Sequence, residues 1–157
     1  MAKFERPALP LTGGCPCGAV RFEVRSMPLL AYACHCTDCQ RRSGASFALN
    51  MAVLTPDFSI TQGQPKAWPN VSGGGVEGLA WFCGDCGGRI YGERPDRPQT
   101  VTLRAGALDN TTWVRPAAHF WTSSAQPWER FPDDALCYER QPPDGGAMQA
   151  AWKAMFG

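Results

Sequence analysis

Apolar and polar residues alternate over short stretches with turn formers between them, so the dominant period along the chain is two. Ala19-Val20-Arg21-Phe22-Glu23-Val24-Arg25 puts Val20, Phe22 and Val24 on one side, the pattern of a half-buried strand. Leu29 to Ala33 predicts a second strand, which delivers Cys34 at its end. Ser46 to Leu54 predicts a third, stopped by Thr55-Pro56-Asp57, and Phe58 to Thr61 a fourth, stopped by Gln62-Gly63-Gln64-Pro65. Lys66 to Val71 and Leu79 to Phe82 are strands on either side of Gly73-Gly74-Gly75, read as a hairpin tip. Arg89-Ile90-Tyr91 and Thr100 to Arg104 follow, and Ala118 to Trp121 reads as the last strand. The first dozen residues, with Pro7 and Pro10, read as an extended arm, and Thr12 to Gly18 as a glycine-rich turn. Helical spacing occurs twice. Thr37 to Arg42 predicts a short turn capped by Thr37 or Asp38. Met148 to Phe156 predicts a helix with Met148, Trp152 and Met155 on one face. The sum is a single-domain, mainly β fold with short helical additions.

Composition agrees. Gly (17) and Pro (14) make up about a fifth of the 157 residues and are scattered, which suits short strands and tight turns. Hydrophobic residues are 44% and charged residues 18%, enough apolar surface for one core. The net charge of +1, with no Lys/Arg run, argues against a nucleic-acid partner. No apolar stretch is long enough to span a bilayer, and Met1 to Pro7 has no apolar signal core, so no membrane partner and a cytoplasmic location are expected. In a reducing compartment clustered cysteines read as metal ligands or redox groups rather than disulfides.

Seven of the eight cysteines are clustered. Cys34-His35-Cys36-Thr37-Asp38-Cys39 is a C-x-C-x-x-C run, Cys15-Pro16-Cys17 precedes it and Cys83-Gly84-Asp85-Cys86 follows. Seven splits naturally into a closed four-thiolate zinc site, which is structural, and a three-thiolate site with an open position, the catalytic form. Spacing favours Cys15 and Cys17 with Cys83 and Cys86, because Cys34, Cys36 and Cys39 make a three-ligand set unaided. The alternative pairing joins Cys15 and Cys17 to two of the central three. The favoured pairing closes a loop of about 70 residues at an entropic cost of about 4 kcal/mol, well below the roughly 10–16 kcal/mol of a structural zinc. Cys137 stands alone and reads as a small buried hydrophobe. At the open site a soft thiolate shell suits a substrate thiol, which would lose its proton on binding and become a nucleophile toward a small aldehyde.

Several motifs resemble those of the glutathione-dependent formaldehyde-activating enzyme (GFA) family, whose domain is shared with a centromere protein (CENP-V). They are Gly14-Cys15-Pro16-Cys17-Gly18-Ala19-Val20, Cys34-His35-Cys36 with Cys39 and Gln40-Arg41-Arg42-Ser43-Gly44, and Phe82-Cys83 with Cys86-Gly87. The resemblance runs on through Gly106 to Asp109, His119-Phe120-Trp121 and Pro127-Trp128, covering roughly residues 11–130. It implies a zinc-binding β-tent fold, also seen in a small guanine-nucleotide-exchange chaperone. It implies two Zn2+ per chain: a structural ion on Cys15, Cys17, Cys83 and Cys86, and a catalytic ion on Cys34, Cys36 and Cys39. It implies carbon–sulfur lyase chemistry, joining glutathione and formaldehyde as S-(hydroxymethyl)glutathione, or a related thiol and aldehyde. On this basis residues 1–10 form an N-terminal arm, 11–135 the zinc domain, and 136–157 a C-terminal tail with a short helix. Competing readings are a non-catalytic zinc module that binds a protein partner, and a labile-zinc or redox sensor.

Candidate substrate-binding residues surround the central run: His35 as a base or fourth ligand, Arg41 or Arg42 on a glutathione carboxylate, and Gln40 and Ser43 lining the site. His119 reads as a packed, hydrogen-bonded histidine and Asp109 as a turn former. Trp81, Trp113, Trp121 and Trp128 read as packing groups.

Overall fold

Alternation fixes which face of each strand is dry, and pairing then lines those faces up. In a computed structural model, which describes residues 4–72 and 74–156, the strands are β1 (Leu11–Gly14), β2 (Arg21–Val24), β3 (Leu30–Cys34), β4 (Ala48–Leu54), β5 (Phe58–Gln62), β6 (Lys66–Val71), β7 (Glu77–Phe82), β8 (Arg89–Glu93), β9 (Thr100–Arg104), β10 (Ala118–Phe120) and β11 (Leu136–Tyr138). Helices α1 (Thr37–Ser43) and α2 (Gly146–Ala154) complete it, so the chain is mainly β. One sheet has the order β1-β2-β5, the other β11-β10-β3-β4-β9-β8-β7-β6. Pairing is antiparallel except where β10 runs parallel to β3 and β11.

On the larger sheet Tyr91 pairs with Leu103, Leu103 with Met51, and Met51 with Ala31, so these four share a face. That face meets the smaller sheet, because Tyr91 packs on Phe58 (4.7 Å between centroids) and Phe58 on Phe22 (5.7 Å). Met51, Val53, Ile90 and Leu103 are fully buried there. Such burial contributes roughly 1.5–3 kcal/mol per large side chain. The opposite face carries Leu30, Tyr32, Asn50, Ala52, Thr102 and Arg104, and is free to form a site.

Several elements depart from the sequence reading. Thr12-Gly13-Gly14 belongs to a strand, not a turn. Gly13 is needed there because a Cβ would stand 2.2 Å from the Ala107 carbonyl and 2.5 Å from Phe22 Cζ. Ala118–Phe120 is not the last strand: Leu136–Tyr138 adds β11 beyond it. Three residues held by parallel pairing are too few to show a period. As an outer strand, β11 leaves Cys137 exposed rather than buried. Asp109 does more than turn the chain. It accepts both guanidinium arms of Arg21, one Nη1–Oδ1 contact being 2.9 Å, and the Thr12 hydroxyl at 2.7 Å. The hairpin tip between β6 and β7 includes Gly73, which lies outside the described residues.

Strand β11 and helix α2 both pack on the rest of the fold. Helix α2 lies along β3 and buries Met148 and Trp152, as its spacing predicts. The Trp152 indole donates to the Pro28 carbonyl at 2.8 Å and packs edge-on to Phe156 at 4.8 Å. Phe4 N donates to the Met155 carbonyl at 2.7 Å, tying the N-terminal arm to this tail.

Candidate metal centre and cavity

Two loops far apart in sequence meet at the first thiol cluster. Cys15 and Cys17 leave β1, while Cys83 and Cys86 form the knuckle between β7 and β8. All four sulfurs lie within 4.8 Å of one another; Cys15–Cys17 is 3.5 Å and Cys17–Cys83 3.7 Å. Four sulfurs at the corners of a tetrahedron with Zn–S bonds of about 2.3 Å would stand about 3.8 Å apart, so the donor set fits zinc. The backbone supports it. Val20 N donates to Cys15 Sγ at 3.2 Å, which favours its thiolate, and Asp85 N donates to Cys83 Sγ at 3.4 Å. Gly87 has φ +72°, and a Cβ on Gly88 would stand 2.5 Å from Pro16 Cδ. The two halves approach that closely only because glycine stands there.

The second cluster sits where β3 ends and α1 begins. Cys34 closes the strand, Cys36 is the N-cap of the helix and Cys39 lies in its first turn. The cap is therefore neither Thr37 nor Asp38: Cys36 has extended backbone angles and its Sγ accepts from Cys39 N at 3.3 Å. The three sulfurs lie within 4.8 Å of one another, and no fourth Cys, His, Asp or Glu joins them among the described residues. The cap and sulfur neighbours act in one direction. Hydrogen bonding from Cys34, then Cys39, pulls the Cys36 thiol down to about 2, while the same contacts and burial push Cys34 far up. Without metal the thiolate is favoured at Cys36 and disfavoured at Cys34, and a dication held by all three would displace the remaining protons.

These sulfurs border a cavity of about 420 Å³ on the free face of the larger sheet. Tyr32 from β3, Asn50 from β4 and Arg104 from β9 form a row across its floor, Arg104 Nη1 donating to Asn50 Oδ1 at 2.8 Å. Arg42 from α1 and Arg89 from β8 close one side, and Met148 and Gln149 from α2 line another. Trp121 lines it with its backbone in the left-handed region (φ 58°, ψ 42°). That conformation is costly for a bulky residue and recurs at functional sites. Tyr32 stacks on Phe120 at 4.3 Å, and burial with the adjacent Cys34 and Cys39 pushes its phenol up to about 12.

A model of the family described as "Glutathione-dependent formaldehyde-activating enzyme" matches residues 10–124. The chain belongs to this family. The matched span holds both thiol clusters and ends before β11 and α2. A crystal structure of a Rhodobacter sphaeroides protein is similar at 26% identity and a TM-score of 0.51, over 67% of this chain and 91% of that one. No curated protein matches. No helix among the described residues is long and apolar enough to cross a membrane.

The candidate residues around the central run separate into two groups. Cys34, Cys36, Cys39 and Arg42 border the cavity; His35, Gln40, Arg41 and Ser43 do not. His35 points away, fully buried, with Nε2 3.1 Å from His119 Nδ1 and edge-on to Phe131 at 5.3 Å. Its Nδ1 has no partner, so the proton belongs on Nε2, donating to His119. Gln40 donates to the His35 carbonyl at 2.7 Å and the Ser124 carbonyl at 2.8 Å, fastening α1 to the loop after β10. Ser43 bonds the backbone at the helix end, and Arg41 is exposed. Trp81 stacks on Tyr91 and Trp113 packs on Trp152, whereas Trp128 is exposed. Spacing does not single out Arg89 or Arg104. The signal for Arg104 lay in Thr100-Val101-Thr102-Leu103-Arg104, whose polar residues share one face.

Proposed function

We propose that the protein is a zinc-dependent enzyme of carbon–sulfur lyase type, joining glutathione and formaldehyde as S-(hydroxymethyl)glutathione, or acting on a related small thiol and aldehyde. In the net reaction the thiol S–H bond breaks and an S–C bond forms. The carbonyl π bond opens, and the proton ends on the new hydroxyl oxygen. The observation that carries this reading is a three-thiol cluster, one ligand short of a tetrahedron, opening into a cavity large enough for a small peptide. Zinc on Cys34, Cys36 and Cys39 would supply a position that holds a substrate thiol deprotonated at neutral pH. The second ion, on Cys15, Cys17, Cys83 and Cys86, would be structural.

The chain's own groups do the rest. Tyr32 keeps its proton to high pH and offers a hydroxyl donor beside the sulfurs, suited to an aldehyde oxygen. Trp121, Met148 and Leu30 give the cavity dry walls, which limits competition from water. His35 and His119 act at a distance, holding β10 against the ligand run. A reducing cytoplasm would keep all seven clustered thiols available.

The test is the rate of S-(hydroxymethyl)glutathione formation from glutathione and formaldehyde, measured against the spontaneous rate. Zinc-loaded protein is expected to accelerate it saturably, and Cys39→Ser to lose that acceleration. No acceleration with glutathione or any of several small thiols would defeat the reading.

A further inference from the structure

Of the arginines on the cavity lining, Arg94 pairs with Asp96 and Arg97 stands near the same carboxylate, while Arg42, Arg89 and Arg104 have no acidic partner among the described residues. Among the described residues the ion pairs are Arg21–Asp109, Arg25–Glu23 and Arg94–Asp96, and none involves Arg42, Arg89 or Arg104. Arg104 meets only the neutral amide of Asn50, and Arg42 reaches the Val71 carbonyl at 3.4 Å. Arg89 is the extreme case. Its Nε is buried without a hydrogen-bond partner, and its guanidinium packs 5.9 Å from the Phe82 ring centroid. Gly92 leaves it room, since a Cβ there would stand 3.4 Å from an Arg89 terminal nitrogen. Burial, then Arg104 and Arg42, bring Arg89 down to about 10, so it remains charged at neutral pH.

The acids on the lining are otherwise engaged. Glu93 accepts from the Trp81 indole at 2.8 Å and Asp144 from Gly146 N at 2.9 Å. Asp38 stands in the first turn of α1, where free backbone N–H groups attract negative charge. Arg42 is exposed, but a buried cation without a partner, as at Arg89, is costly and persists when something else compensates it. The thiol cluster accounts for part of this. Three thiolates on a zinc dication carry one net negative charge against three guanidiniums, leaving two positive charges. A glutathione held by its thiolate brings two: one on sulfur and one net from two carboxylates and an ammonium.

We propose that Arg42, Arg89 and Arg104 form a carboxylate-binding subsite beside the three-thiol cluster, so that the cavity selects small thiols bearing a carboxylate over neutral ones. The proposal rests on the thiol–aldehyde reading for the identity of the substrate class, but its test does not need turnover. Arg89 and Arg104 act as specificity residues, because a guanidinium matches a carboxylate in two parallel hydrogen bonds.

The experiment is isothermal titration of the zinc-loaded protein with S-methylglutathione, whose capped sulfur cannot become a thiolate, and with its dimethyl ester. The acid is expected to bind, the ester to bind about tenfold or more weakly, and Arg89→Gln to lose affinity for the acid by a similar factor with its zinc content unchanged. Arg89→Lys should recover part of that loss. An ester binding within about twofold of the acid, or no binding by the acid, overturns the subsite. The ester comparison uses wild-type protein, so it decides even if the arginine variants fold poorly. Absence of catalysis with intact acid-over-ester preference would defeat the thiol–aldehyde reading and leave the subsite standing. Catalysis with an unchanged KM in Arg89→Gln would do the reverse.

Discussion

Cys36→Ser and Cys83→Ser remove the same atom from two clusters, and the structure assigns them opposite costs. Cys83 lies 3.7 Å from Cys17, 66 residues away in sequence, so its cluster is a cross-link between the N-terminal turn and the β7–β8 knuckle. Releasing it recovers about 4 kcal/mol of closure entropy but forfeits the metal's own contribution of roughly 10–16 kcal/mol, a net loss of several kcal/mol. Native domains are stable by only about 5–15 kcal/mol, so Cys83→Ser should unfold or melt very early. Cys36 closes no long loop, since its partners lie two and three residues away. Its local task is to cap α1 through the 3.3 Å contact from Cys39 N, and a serine hydroxyl is a better N-cap acceptor than a thiol. The cost to the fold should be within about 1 kcal/mol, which is about 2–4 °C in Tm for a chain of this size. Thermal melts with metal analysis check both. The expected result is a Cys36→Ser protein that folds, keeps the metal of the four-thiol cluster and binds less at the other. A Cys36→Ser protein that melts as early as Cys83→Ser would refute the assignment of structure to one cluster and chemistry to the other.

His119 is held down to about 4, by burial and then by His35, against an ordinary value of 6.5. Between those values the unfolded chain binds the proton and the native chain does not, so stability falls as pH drops from 6.5 and levels off below 4, by about 3 kcal/mol at most. Urea midpoints of wild type and His119→Gln at pH 7 and near pH 4 should show that this part of the acid sensitivity disappears in the variant, while acid release of metal is common to both. Gly88→Ala forces a methyl into the 2.5 Å approach to Pro16 and should raise the rate at which a chelator strips the four-thiol cluster, read with a colorimetric zinc dye. Trp152→Ala removes a 2% exposed ring and its bond to Pro28, and should cost about 3–5 kcal/mol by denaturant titration, with the two thiol clusters still able to take up metal.

What was legible in the sequence was what short-range geometry determines. The C-x-C-x-x-C and C-x-x-C spacings hold thiols on one side of a tight loop whatever the rest of the chain does, so the three-thiol run and the two pairs were readable before any fold, while the joining of Cys15 and Cys17 to Cys83 and Cys86, 66 residues away, was only the favoured of two pairings. Strands β2, β4 and β9 were readable because each has one dry face, and α2 because Met148, Trp152 and Met155 recur on one side. β1 was hidden by two glycines, Gly13 set by a close approach to the Ala107 carbonyl, far along the chain, and Gly14 by one to the Val20 carbonyl. β11 was hidden by its length, and with it the exposure of Cys137.

The arginines of the cavity were hidden for a different reason. Alternation assigns Arg104 to the polar face of β9, but a polar face is ordinarily a wet one, and nothing in a single strand distinguishes solvent from a cavity. Only pairing does so. β4 must lie between β3 and β9 before Tyr32, Asn50 and Arg104 become one row, and β8 must follow β9 before Arg89 joins them. The thiols enter at the end of that row because β3 runs into Cys34 and α1 turns back over it. Local sequence therefore builds the thiol-bearing ends, while sheet order supplies the charged surface beside them. A substitution in β4 that shifted its register by one residue would exchange Asn50 for Met51 and fill the cavity with apolar side chains, leaving both thiol clusters intact.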